Sequence, residues 1–305
     1  MTFEGIGGPL RAVKAVIDIG TNSVLLLLGS RGPDGAVVIE HDEARVGRLG
    51  EGVAKRGALL PEAIDRTVAI LEDYRRQADS AHAPIEAVAT EGLRLAEDRD
   101  VFLTRAQAAL GVPVRMISGE EEARLSYLSV AREHPDVEAM RVIDIGGAST
   151  ELVAGRGEDI RSVASHKIGS VRLTEAHVQS DPISGPELQA VDAAARSALA
   201  AQPMDAADEL YGLAGTVTTL AALLLGLQAY DRNAVDGSRW TLAQVDALRD
   251  ELAAEPLDIR LKRPCLPPGR ADVVVAGLTI LSVAMQHCGA STLVVRDRGL
   301  RYALL

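Results

Sequence analysis

Along the chain, short apolar runs alternate with longer stretches whose apolar residues recur at helical spacing, the pattern of strands joined by helices. Ala15 to Leu26 reads as a buried strand, a turn and a second strand, and Ala36 to Glu40 supplies a third. Arg45 to Gly57 is polar, basic and glycine-bearing, so it is assigned to a loop. Leu60-Pro61-Glu62 opens a helix to about Ala78, with proline in its first turn. A strand at Ile85–Ala89, a helix at Asp98–Leu110, a strand at Val112–Ile117 and a helix at Gly119–Glu133 follow.

The opening pattern then returns. Val142-Ile143-Asp144-Ile145-Gly146 repeats Val16-Ile17-Asp18-Ile19-Gly20, and Ser149 aligns with Ser23. Two copies at a domain-sized interval are not a solenoid; they predict two similar lobes facing each other. The second lobe continues with strands near Ile160–Ser165, Glu209–Leu213 and Thr292–Val295. Its helices are expected at Gly185–Ala200, Val217–Leu227, Thr241–Leu252 and Ala271–His287, with a final turn at Gly299–Leu305. The lobes divide as residues 1–128 and 129–305, with the last helix packing back on the first lobe.

Composition narrows the class. The 305 residues are 47% hydrophobic, 25% charged and only 3% aromatic, so the core is aliphatic and the chain is globular. A net charge of −11 argues against general binding of nucleic acid or an anionic membrane, while leaving room for an anionic substrate in a locally basic cleft. Leu210 to Tyr230 carries no charge and approaches the ~20 residues of a membrane span, but its threonines and Gly-Leu-Ala-Gly turn favour a strand, turn and helix. Cys265 and Cys288 lack metal-site spacing, and Met1 to Gly5 lacks the basic start of a signal peptide, so a cytoplasmic location is expected.

The chemistry lies in the repeat. In Asp18-Ile19-Gly20-Thr21-Asn22-Ser23 an apolar strand ends on an acid and turns at glycine, leaving backbone N–H and hydroxyl donors free to face an anion. One such turn is an ordinary hairpin; two, with Gly146-Gly147-Ala148-Ser149 as the second, can grip a phosphate chain from both sides.

These loops resemble those of the acetate and sugar kinase, heat-shock chaperone and actin superfamily. Within it the chain resembles the exopolyphosphatase and guanosine-pentaphosphate phosphohydrolase family. The likeness extends through Ala89-Thr90-Glu91-Gly92-Leu93-Arg94, Ile117-Ser118-Gly119-Glu120-Glu121-Glu122-Ala123-Arg124, Ile168-Gly169-Ser170-Val171-Arg172-Leu173, Gly269-Arg270-Ala271-Asp272 and Asp297-Arg298-Gly299-Leu300-Arg301. It implies an α/β fold of two ribonuclease-H-like, actin-like ATPase lobes, each a mixed sheet flanked by helices, with a cleft between them. It further implies a phosphoric anhydride hydrolase that releases terminal orthophosphate from inorganic polyphosphate.

By the same resemblance Glu122 is the base that positions water, although an acidic run at a helix start is also a favourable cap. Glu151 either holds Mg²⁺ (or Mn²⁺) or orients the water. Asp144 and Asp18 are hard oxygen ligands for the metal, or caps of the turns that follow them. Arg94 holds phosphate oxygens in a bidentate fork. Gly215 and Thr216, in Gly212-Leu213-Ala214-Gly215-Thr216, join the phosphate-binding set. Arg45, Arg48, Lys55, Arg56, Lys167 and Arg172 are further basic candidates.

Three alternatives stay open: hydrolysis of the guanosine pentaphosphate pppGpp, a non-hydrolysing sensor of polyphosphate or nucleotide, and a small-molecule kinase. A homodimer is compatible with the sequence. The chain lacks the extra C-terminal helical domains of longer relatives, which implies an open site suited to short polyphosphates.

Overall fold

The computed structural model describes residues 12–33 and 35–305, so Met1 to Gly5, with the reading placed there, lies outside the described residues. The first lobe is built on β1 (Lys14–Ile19), β2 (Ser23–Arg31), β3 (Val37–Val46), α1 (Val53–Arg56), α2 (Pro61–Ser80), β4 (Ile85–Ala89), α3 (Glu91–Arg94), α4 (Arg99–Leu110) and β5 (Val114–Met116). Its strands lie in the order β3-β2-β1-β4-β5, with β1 antiparallel to β2 and parallel to β4. The helix α2 forms because Ala63, Ile64, Thr67, Val68, Leu71, Tyr74 and Ala78 give it one apolar stripe. That stripe covers one face of the sheet, against Ile17, Ile19, Val24 and Leu26.

Beyond the first sheet the chain runs through α5 (Gly119–Ala131), β6 (Met140–Ile145), β7 (Thr150–Arg156), β8 (Asp159–His166), α6 (Ser170–His177), α7 (Gly185–Leu199), β9 (Glu209–Leu213), α8 (Ala214–Leu224) and α9 (Arg232–Val235). It closes with β10 (Arg239–Thr241), α10 (Leu242–Ala254), α11 (Leu257–Arg260), α12 (Val274–His287), β11 (Thr292–Val295) and α13 (Leu300–Leu304). The strand order is β10-β11-β9-β6-β7-β8. Every residue of α12 from Val274 to Met285 is buried, which makes it the spine of the larger core.

Between the sheets lie α5 and α13. The apolar face of α5, with Ala123, Tyr127 and Val130, packs on Val142 and Val153 of the second sheet. On α13, Tyr302 packs on Val16 and Leu27, and Leu300 on Val88 and Ile117, all from the first lobe. The chain is therefore a mixed α/β protein with two mixed sheets flanked by helices.

Local differences from the sequence reading have physical causes. The strand expected at 36–40 runs on to Val46, because residues 37–46 pair with β2 across a bulge at Leu28/Gly29. The expected loop to Gly57 holds the short helix α1, bounded by left-handed Gly52 and Gly57. The helix expected from Val217 starts at Ala214, directly on the end of β9, and Ser170–His177 forms a helix that periodicity did not mark. The uncharged stretch from Leu210 divides into β9 and α8, and among the described residues no helix is long and apolar enough to cross a membrane.

Candidate active site

Both glycine loops are tight turns between antiparallel strands. In the first, the Gly20 N–H donates to the Ser23 carbonyl at 2.9 Å; in the second, Gly146 N–H donates to the Ser149 carbonyl at 3.0 Å. The loops meet tip to tip. A Cβ on Gly147 would stand 3.2 Å from Thr21 Cβ and from Val171 Cγ2, so any larger residue there would press these neighbours aside by a few tenths of an ångström. The start of α6 buttresses the second loop: Ser170 N–H donates to the Gly146 carbonyl, Val171 and Arg172 N–H to that of Gly147, and Arg172 Nε to that of Ala148 at 2.8 Å. Gly169 enables this, because a Cβ there would lie 2.4 Å from the Gly147 oxygen.

Four buried acids lie close enough to act on one another's charge. Asp18 and Asp144 end β1 and β6, Glu122 lies in the first turns of α5, and Glu151 stands opposite Asp144 in the β6–β7 register. In the first loop the position equivalent to Glu151 is Leu25, opposite Asp18, so the repeat is asymmetric where the second acid matters. Helix α5 is aimed by its cap: Ser118 Oγ accepts the Glu121 N–H at 3.1 Å, and the three glutamates sit at the positive helix end.

Burial governs the ionisation of all four. Burial raises Asp18 to about 7, with Arg301 opposing and Asp144 adding to the rise. Burial and the charges of Glu151, Asp18 and Asp144 push Glu122 well above the usual carboxylate range, against Arg94. Burial and Asp144 likewise raise Glu151, against hydrogen bonds from Ser165 and Ser149. Burial raises Asp144, opposed by its hydrogen bond from Ser126.

Asp18 Oδ1, Glu122 Oε2 and Glu151 Oε2 are buried with no hydrogen-bond partner. Leaving such oxygens orphaned is costly unless a ligand meets them. They are hard donors, as Mg²⁺ or Mn²⁺ requires. Among the described residues, no three His, Cys, Asp or Glu side chains are arranged to hold a metal by themselves, so phosphate oxygens and water would have to complete a shell.

Arg94 is half-buried at the end of α3; its Nη1 donates to the Ile117 carbonyl and its charge acts on Glu122 and Glu151. The other basic candidates divide. Arg45 pairs with Glu43 and Asp73 at 2.6 Å each, away from the acids. Lys55, Arg56 and Lys167 are exposed. Arg48 bridges the lobes, donating to Asp272 Oδ2 at 2.8 Å, while Asn22 Nδ2 donates to the Gly269 carbonyl at 3.2 Å and Gly52 N–H to Glu175 at 2.7 Å. Gly215 and Thr216 begin α8, beside β6 through β9, and a Cβ on Gly215 would meet the Arg270 guanidinium at 2.7 Å. Ala214, just before them, holds a left-handed φ of 67°.

Sequence reading placed Arg301 in a matched segment without a role, although it offsets the charge of Asp18, and it missed the serines Ser126 and Ser165, which hold two of the acids. A serine on a helix or strand gives no signal until its carboxylate partner is known to lie opposite.

A family model described as the Ppx/GppA phosphatase family matches residues 30–305. The chain belongs to this family. Exopolyphosphatase 2 of Mycobacterium tuberculosis is 38% identical over 284 residues, covering 88% of each chain. The crystal structure of the Aquifex aeolicus member of the family superposes with a TM-score of 0.81 at 34% identity, covering 96% of both chains. A solved exopolyphosphatase-like protein reaches a TM-score of 0.88 at 29% identity, over 96% of this chain and 97% of that one.

Proposed function

We propose that this protein is an exopolyphosphatase, which removes terminal orthophosphate from inorganic polyphosphate by attack of water in the cleft between the lobes. The reading rests on one juxtaposition: two abutting glycine loops beside four buried carboxylates, three of them with an orphaned oxygen. The resemblance to an exopolyphosphatase at 38% identity supports the choice of substrate.

The roles follow from position. Gly20, Thr21, Asn22 and Ser23 on one side, and Gly146, Gly147, Ala148 and Ser149 on the other, hold the phosphate chain, with Gly215 and Thr216 beside the second loop. Arg94 neutralises the reacting phosphoryl oxygens. Asp144, Glu151 and Asp18 would supply oxygens to Mg²⁺ or Mn²⁺, with phosphate oxygens and water completing the shell. A bound divalent cation offsets the charge that develops on the phosphate oxygens in the transition state. Glu122 takes the proton of the attacking water. Arg94, whose charge opposes the rise in the Glu122 pKa, favours the ionised form that a base requires. The protein acts in the cytoplasm, as its substrate and its two unpaired cysteines suggest.

Phosphate release is to be measured from polyphosphates of several lengths, with pppGpp and ATP alongside. Turnover of polyphosphate at the highest kcat/KM is expected. Hydrolysis of pppGpp without hydrolysis of polyphosphate would overturn the reading in favour of a guanosine-pentaphosphate phosphohydrolase.

A further inference from the structure

Ser126 sits one turn beyond Glu122 on α5, on the same helix face, and is 1% exposed. A helical serine or threonine commonly satisfies its hydroxyl on the carbonyl four residues back. Ser80, Thr104 and Thr174 do so here. Ser126 instead reaches across to β6, donating to Asp144 Oδ2 at 2.6 Å. Ser165 makes the matching contact on the other side. It stands directly opposite Glu151 in the β7–β8 register, and its Oγ donates to Glu151 Oε1 at 2.6 Å. The second Glu151 oxygen, Oε2, is buried and unpartnered. Each hydroxyl thus fixes one oxygen of an acid whose charge acts on Glu122.

We infer that Ser126 and Ser165 are positioning residues that hold Asp144 and Glu151 by one carboxylate oxygen each, so that a divalent cation is met through the other. Ser126 has a second consequence. It pins the helix that carries Glu122 to the strand that carries Asp144, and so fixes the base relative to the cation ligands. The inference rests on the cation-dependent reading of the site given above. A hydroxyl that orients a ligand differs from one that merely fills space: its loss weakens metal binding by roughly 10–100-fold.

The test is Mn²⁺ binding to the intact protein in the presence of inorganic phosphate, followed by the electron paramagnetic resonance of free Mn²⁺, with melting temperature and steady-state kinetics on the same samples. Ser126→Ala and Ser165→Ala are each expected to weaken Mn²⁺ by about 10-fold or more. They should lower kcat while KM for polyphosphate stays within about 2-fold, the signature of an interaction that matters in the transition state. Ser165→Thr keeps the hydroxyl on a strand that favours β-branched residues, and is expected to restore binding. If Ser126→Ala does not fold, the Ser165 pair decides alone. Wild-type Mn²⁺ affinity in folded alanine variants, with only the melting temperature lowered, would overturn the inference and leave the site reading intact. Failure of the wild-type protein to bind Mn²⁺ would overturn both.

Discussion

Asp18 and Asp144 end the central strands of two separate sheets, yet the charge of Asp144 raises the pKa of Asp18, so the two halves of the repeat meet electrostatically as well as sterically. This has a consequence for stability. Asp18 rises from an ordinary 3.8 to about 7, and Glu151 from 4.5 to about 8. In that window the folded protein binds more protons than the unfolded chain, so its stability must fall as pH rises. Without divalent cation, the midpoint of urea unfolding is expected to decline from about pH 4 to about pH 8, the span of these two shifts. Added Mg²⁺ should flatten the decline, because it binds the ionised folded form. A midpoint that climbs across this range without Mg²⁺ would show that these acids are ionised in the folded state.

Glu122→Gln keeps the shape of the side chain and removes its ability to take a proton. Polyphosphate KM should be nearly unchanged and kcat should fall by roughly 10²–10⁴-fold. Steady-state phosphate release checks this, and near-wild-type turnover would remove Glu122 from the mechanism.

Arg94 is expected to act on binding and catalysis together, since its charge reaches Glu122 and Glu151. Arg94→Ala should raise KM and lower kcat, and Arg94→Lys should recover only part, because an ammonium cannot reproduce the planar fork. If Arg94 served only to tie α3 to Ile117, the alanine variant would melt earlier with normal kinetics.

Gly119 lies under Ser165: a Cβ there would stand 2.5 Å from Ser165 Oγ and 2.6 Å from its Cβ. Gly119→Ala must therefore displace Ser165 from Glu151. Overpacking of this kind costs about 1–3 kcal/mol. The variant is expected to melt earlier and also to lose kcat, whereas wild-type kcat in the folded variant would show that Ser165 can shift without consequence.

Much of the fold is legible in the residues because it is local. β4, β9 and β11 coincide with the apolar runs Ile85–Ala89, Glu209–Leu213 and Thr292–Val295, since a buried strand is written in consecutive apolar residues. The duplicated Asp-Ile-Gly loops and the run Glu120-Glu121-Glu122 announce two turns and one helix start for the same reason. Other features needed partners distant in the chain. The helix Ser170–His177 starts where Ser170, Val171 and Arg172 donate to the second loop. Strand β3 reaches Val46 because β2 offers it a ladder.

The site follows the same division. Residue type and motif nominated Glu122, Asp144, Glu151 and Arg94, because carboxylates and arginines are what phosphate chemistry needs. No spacing along the chain could show that Ser126 bonds Asp144 across 18 positions, that Ser165 lies opposite Glu151, or that Arg301 comes from the last helix to offset Asp18. The elevated pKa values likewise belong to the assembled molecule. They arise from burial and from charges brought together by two sheets and the helix between them, and desolvation has no counterpart in a linear sequence.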